Sequence, residues 1–480
     1  MGWYKQNAKR NAYPLYCFRA HFLLSFFQVD AIRAADKTVL STVHQRQLIT
    51  ISQQQYSEKL RGFWLGQNIA NWTGLITEMD KIGTPETLPF YTDDDWGTAD
   101  LPAMWGETVP HADTIDFYFE SKGTPWGADD DTDIEYMYAH LHHHHKTTKL
   151  TAEQIRDGWL KHTYSEEDAP LFKKFPNSKP SRENFLWVSN QRARDLMAQG
   201  AIPPATSEPE TNPYHMMIDA QLTTELFGLL APTRVDVSLD IAELPIRTTA
   251  SGDAAWIAQF YVAMHALASL PGATQDKMPR VEWLAEQASH YLPTDSTPAK
   301  MYQFVKSHYH SNADKNDWES TRDAVYHRYQ INQQDGYVYR QPFDAGINFA
   351  ASLVSLLYGQ GDIVRTIKIG TLSGWDSDNP TATWGGLLGF IIGHQAVIEA
   401  FEQPNLSDTY WIHRTRREFP DHTPNTSGED NFTLMAAREI ATIDRIVVEK
   451  MGGSLDKRHN HWYWVIPKGT SNVHSASTTD

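Results

Sequence analysis

The chain has 480 residues, enough for one large domain or two or three ordinary ones. Its hydrophobic content of 41%, charged content of 21% and formal net charge of -17 describe a soluble globular protein and argue against a nucleic-acid backbone as main partner, because phosphates would be repelled on average. No apolar run of about 18 residues or more is present, so no membrane span is expected, and a lone Cys17 excludes an intramolecular disulfide and a multi-cysteine zinc site.

The N-terminus admits two readings. Lys5, Lys9 and Arg10 precede "YPLYCFRAHFLLSFF", as in an export signal, but Arg19 and His21 interrupt the stretch and no clean small-residue cleavage site follows. An amphipathic or disordered leader over 1–54 is the alternative. The protein is periplasmic or exported under the first reading and cytoplasmic under the second.

From Tyr56 helical spacing dominates. It runs through "SEKLRGFWLGQNIANWTGLITEM", "TDIEYMYAHLHHHH", "TAEQIRDGWLKHTY", "NQRARDLMAQG", "WIAQFYVAMHALASL", "AGINFAASLVSLLYGQG" and "RTIKIGTL". Loops rich in Pro, Asp, Ser and Thr fall near 85–115, 165–184 and 201–213. Strand-like alternation is scarce. One more helix is expected near 432–450, and a polar tail closes the chain over 466–480. The pattern predicts one all-α domain over 55–465 with long loops.

Two clusters of carboxylates sit at predicted helix starts. Asp129, Asp130, Asp131 and Asp133 precede or open one helix, where Thr132 and Glu135 make a capping-box pattern. Asp376 and Asp378 precede another, for which Asn379 is the expected N-cap and Pro380 the first helical residue. Each cluster alone is explained by solvated caps, since aspartate is favoured at that pole. Together they offer the all-oxygen donors that hard divalent cations prefer. A third element is a ridge of small residues, Gly62, Gly66, Ala70 and Gly74, leading to Glu78. Such a ridge suits close contact with another helix, and the glycine-rich 385–393 stretch is its natural partner. That contact would bring Glu78 towards Asp376 and Asp378.

These elements, in this order, resemble the ADP-ribosylglycohydrolase family over about residues 56–395. That family opens with Gly-x3-Gly-x3-Gly-Asp-x2-Gly-x3-Glu, similar to Gly62, Gly66, Ala70, Asn71, Gly74 and Glu78. Its Thr/Ser-Asp-Asp-Thr motif is similar to Asp129, Asp130, Asp131 and Thr132, and its closing motif resembles "GWDSDNPTATWGGLLGFIIG". The segments "TTELFGLLAPTRVDVSLDIAELPIRTTASGDAAWIAQFYVAMHALAS" and "LLYGQGDIVRTIKIGTL" resemble the connecting parts. Departures mark a divergent branch. Ala70-Asn71 replaces Gly-Asp, Asp129 stands where Thr or Ser is usual, Asn379 where Thr often is, and Thr248-Thr249 where Ser/Thr-His is usual.

The resemblance implies a compact multi-helix bundle and a cleft with two divalent cations, magnesium or manganese. Asp129, Asp130, Asp131, Asp376, Asp378 and Asn379 are the implied metal ligands, with a register slip bringing in Thr132 or Asp133. Asp131 is one candidate base. Glu78 is the candidate for contacting the sugar or water and gating the cleft. The implied activity is hydrolysis of an N- or O-glycosidic bond in an ADP-ribosylated substrate or a simpler small-molecule glycoside. A catalytically silent binding or structural protein on the same fold is the alternative. Trp72, Trp126, Trp375 and Trp384 flank the motifs as core or as stacking surfaces. Asp93, Asp94 and Asp95 read as a solvated turn, and His142–His145 as an exposed helix end.

Overall fold

The computed structural model describes residues 47–101, 113–164, 186–271, 280–423 and 429–469. Cys17, most of the expected leader, the 165–184 loop, part of the 85–115 loop and most of the polar tail lie outside these residues. From Leu48 onward the chain forms one unit.

Helix dominates this unit, as the spacing of apolar residues requires. The helix Asp253–Ala268 is apolar nearly all round, so only a central position satisfies it, and almost every residue from Ala254 to Ala268 is buried. The helix Ala345–Gly359 is buried along its entire length for the same reason. Around them stand the opening helix Gln53–Gly74, the triple-aspartate helix Asp130–His145, and the glycine-rich helix Asp378–Ile392. No helix among the described residues is long and apolar enough to cross a membrane.

Two small sheets complete the fold. β1 (Leu48–Ser52) pairs antiparallel with β6 (His461–Pro467), which pairs with β5 (Ser454–Arg458). β2 (Trp126–Gly127) runs parallel to β3 (Thr409–Trp411), which pairs antiparallel with β4 (Glu429–Asn431). Both sheets escape a reading for alternation because their strands are short and β5, "SLDKR", is mostly polar. The β1 pairing draws Leu48–Gln53 out of the expected leader and into the domain. Asp444, on the last helix (Phe432–Glu449), accepts from Gln53 and from Trp464, each at 2.7 Å, tying both ends of the domain together.

Candidate metal centre

The opening helix begins and ends before its expected bounds. Ser52 caps its start, accepting from the Gln55 N–H. Its end is set by close approach: a Cβ on Gly74 would lie 2.4 Å from the Cα of Asp378. The chain therefore turns away after Gly74. Glu78 stands in the turns that follow, not on the helix end where the small-residue series placed it.

The ridge meets its expected partner. A Cβ on Gly62 would lie 2.3 Å from the Gly389 carbonyl oxygen, and one on Gly66 would lie 2.2 Å from that of Gly385. Reciprocally, a Cβ on Gly385 would meet Ala70 at 2.3 Å. Backbone thus touches backbone, and the helix interior tolerates glycine because no other residue fits.

At the end of this contact the chain holds two unusual conformations side by side. Met79 and Trp375 both have positive φ, 59° and 58°. The Met79 N–H donates to the Trp375 carbonyl at 2.9 Å, and the Trp375 N–H donates to the Lys81 carbonyl at 2.8 Å. This pairing brings Glu78 beside Asp376 and holds Met79 and Trp375 in a region disfavoured for side chains. Asn348 fixes the far side. Its amide nitrogen donates to the carbonyls of Pro342 and Asp344, so its oxygen must face the Asp376 N–H, at 3.2 Å.

The helix after this loop starts at Asp378, with Ser377 as the preceding residue, and not at Pro380. Ser377 donates to the Gly74 carbonyl and meets Thr77 at 2.9 Å, which already turns the chain into helical conformation. Asn379 lies within the first turn, where its carboxamide oxygen accepts from Gln221 at 3.3 Å. The first acidic cluster is also shifted from expectation. Asp129, not Thr132, is the cap; it accepts from the Asp130 N–H at 2.9 Å, and Thr132 takes the third helical position. Thr132 bonds with the Tyr410 hydroxyl at 2.9 Å, and Asp133 forms a wholly buried ion pair with Arg416 at 2.9 Å. These two residues are thereby engaged away from the carboxylate centre.

The result is two convergent carboxylate groups. Glu78, Asp376 and Asp378 bring ligand atoms within 4.8 Å of one another, and so do Asp129, Asp131 and Asp378. Asp378 belongs to both. Ligand oxygens on one small divalent cation stand up to about 4 Å apart, so either group reaches that spread with slight side-chain adjustment. Asp131 and Asp378 are buried, and the Oδ1 of each takes no hydrogen bond, which leaves it free to face a cation. The residues therefore fit the expected ions. Asp130 is half-exposed and outside both groups; Glu78 is half-buried and the others are buried.

Burial raises these carboxyl groups, and mutual repulsion raises them further. Glu78, Asp130, Asp131 and Asp376 are all pushed well above the ordinary carboxylate range. Asp129 is raised by burial but opposed by Arg414. That guanidinium is buried, donates to the Ala128 carbonyl at 2.7 Å, and lies 4.6 Å from the centre of the Trp72 ring. So many buried carboxyls need protons or cations to be stable together.

A second polar layer lies one helical turn beneath. Gln67 donates to Glu135 at 2.8 Å, the Leu226 N–H donates to Glu135 at 2.6 Å, and Thr383 donates to Glu225 at 2.6 Å. Glu135, expected to close a capping box, is instead buried in this layer. Burial raises Glu225 to about 7 and Glu135 well above its usual range. Sequence reasoning missed Gln67, Gln221, Glu225 and Arg414. The signal for three of them is a four-residue step: Gln67 to Asn71, and Gln221 to Glu225.

The tryptophans are core. Trp126, Trp375 and Trp384 are fully buried, and Trp72 stacks on Tyr118. Asp93–Asp95 form a capped turn, with Thr92 N–H donating to Asp95 at 2.7 Å. Of the four expected exposed histidines, His142 is buried and bonds to the Thr147 carbonyl; burial lowers it to about 4. Thr248 donates to Leu244 within its own helix.

A family profile for ADP-ribosylglycohydrolase matches residues 52–426. A solved structure described as an ADP-ribosylglycohydrolase-related protein complex is similar at 14% identity, covering 81% of this chain and 98% of that one, with a TM-score of 0.43. No curated protein matches the chain significantly.

Proposed function

The chain belongs to the ADP-ribosylglycohydrolase family, and on that premise we propose that it is a metal-dependent glycohydrolase cleaving an N- or O-glycosidic bond, either ADP-ribosyl or in a related glycoside. The observation that carries this reading is the place of Asp378 in both carboxylate groups, which suits two divalent cations, magnesium or manganese, sharing one ligand. Glu78 and Asp376 complete one ligand set; Asp129 and Asp131 complete the other. Asp130 and Asn379 stand next to these sets as further oxygen donors. Bound cations would supply Lewis-acid charge that orients sugar hydroxyls and eases deprotonation of a nearby water.

The protein's own groups divide the remaining work. Of the two candidate acid–base residues, Asp131 is buried with one oxygen held by Asn71, whereas Glu78 reaches solvent. Glu78 therefore accepts the proton of an attacking water or holds a sugar hydroxyl. Carboxylates at the mouth favour the oxocarbenium-like charge that develops as the leaving group departs.

A screen of ADP-ribosyl-arginine, ADP-ribosyl-serine, nucleosides and aryl glycosides, with manganese or with chelator, tests the reading. Metal-dependent release of the sugar from one class is expected. Metal binding without turnover on any of them favours the silent alternative.

A further inference from the structure

Asn71 occupies the point where three helices meet. It lies on the opening helix, fully buried, three residues from Gly74 and one turn from Gln67. Its amide nitrogen donates to Oδ2 of Asp131, on the triple-aspartate helix, and stands 3.5 Å from Oδ2 of Asp378, on the glycine-rich helix. The amide cannot be turned over, because its oxygen would then face two carboxylates. At both aspartates the oxygen that Asn71 engages is Oδ2, and the oxygen without a hydrogen bond is Oδ1. One neutral amide thus sorts the oxygens of two aspartates from different helices.

We propose that Asn71 is a positioning residue of the metal centre, holding Asp131 and the shared Asp378 by one oxygen each and leaving the other for the cations; this rests on the metal-centre reading above. A neutral donor here does what a third carboxylate could not. It draws two anions together without adding charge, so the ligand set is preorganised before a cation arrives. The bond from Gln67 to Glu135 one turn below repeats the same amide-to-carboxylate link between the same two helices, which fixes their register at the site.

The test uses the full chain and manganese alone. Manganese affinity is read from the free-ion electron paramagnetic resonance signal, and melting is measured with manganese and with chelator. Asn71→Leu keeps the branching and the number of heavy atoms but removes the donor. It should weaken manganese binding by the folded protein about tenfold or more, the scale of a lost hydrogen bond to a charged group. A purely structural role would lower the melting point of Asn71→Leu and leave manganese affinity at the wild-type value; that result overturns the proposal. Asn71→Asp keeps the shape and decides the matter should the leucine variant not fold. It replaces the donor between Asp131 and Asp378 with a third anion, so the metal-free melting point should fall below wild type, and an unchanged metal-free melting point overturns the proposal. Wild-type protein that binds no manganese overturns both this proposal and the metal-centre reading, whereas wild-type binding with indifferent variants removes only the role of Asn71.

Discussion

Gly66→Ala is a severe change disguised as a mild one. In an ordinary helix interior it would stabilise the protein by about 1 kcal/mol, because alanine is the better helix former. Here the new Cβ would lie 2.2 Å from the Gly385 carbonyl oxygen, 3.1 Å from its carbon and 3.2 Å from the Gly389 Cα. All three obstacles are backbone, so no side chain can rotate away. Relief requires the two helices to part by about 1 Å. Overpacking of this kind costs about 1–3 kcal/mol or more, which outweighs the propensity gain. We expect a net loss of about 1–2 kcal/mol, read as a melting point lower by about 1–2 °C in a domain of this size. Gly158→Ala is the control, since its Cβ would meet the end of the flexible Leu141 side chain at 2.5 Å, and it should change stability by less than about 1 kcal/mol. Parting the helices also displaces Asp378 from Asp131, so the manganese-induced melting shift should shrink in Gly66→Ala alone. A Gly66→Ala protein that melts at or above the wild-type temperature would refute the argument from backbone contact.

Other outcomes follow from the same geometry. Asp378→Ala removes a ligand from both carboxylate groups and should abolish the magnesium or manganese shift in a melting experiment; Asp376→Ala, which affects one group, should reduce it, and full shifts in both would place the ions elsewhere. Glu78→Gln keeps an oxygen donor in its ligand set, so it should fold and still be stabilised by the metal, though less than wild type, while lowering turnover about a hundredfold or more; wild-type turnover would make Glu78 merely structural. Arg416→Met leaves Asp133 buried without its partner and should cost about 3–5 kcal/mol, checked by chemical denaturation. With chelator present, stability should fall as pH rises from 6.5 to 8. Glu225 and Glu439 have folded values raised to about 7, so the folded state holds protons that the unfolded state has lost, and that advantage disappears as pH passes through 7. Buried histidines such as His142 oppose this only below about 6.5, and a melting point that climbs across the window would contradict the assignment.

The sequence announced the large features because they depend on pattern. Small residues at 62, 66, 70 and 74, and glycines at 385 and 389, specify a contact that only two backbones can make, and the two helices meet there. Helix caps were less legible. Thr132 and Asn379 are each a good local cap, yet the observed starts are Asp130 and Asp378. In both cases a tertiary bond decided the register: Thr132 is taken by Tyr410, and Ser377 is taken by Gly74 and Thr77. Least legible was the pairing that brings Glu78 to Asp376, because it uses positive φ at Met79 and Trp375, residue types that give no hint of that conformation.

The same distinction explains why Asn71 looked like a defect. Judged against a motif, it is a carboxylate lost from the opening helix. Judged by its partners, it is an amide placed between Asp131 and Asp378, two groups whose charges would otherwise drive their helices apart. A residue's role in a crowded acidic centre is set by the charge around it, and where five carboxylates already converge, a sixth would add repulsion while an amide adds attraction. The neutral residue at this position is therefore consistent with a working centre. The loss of a carboxylate there does not by itself argue for a silent one.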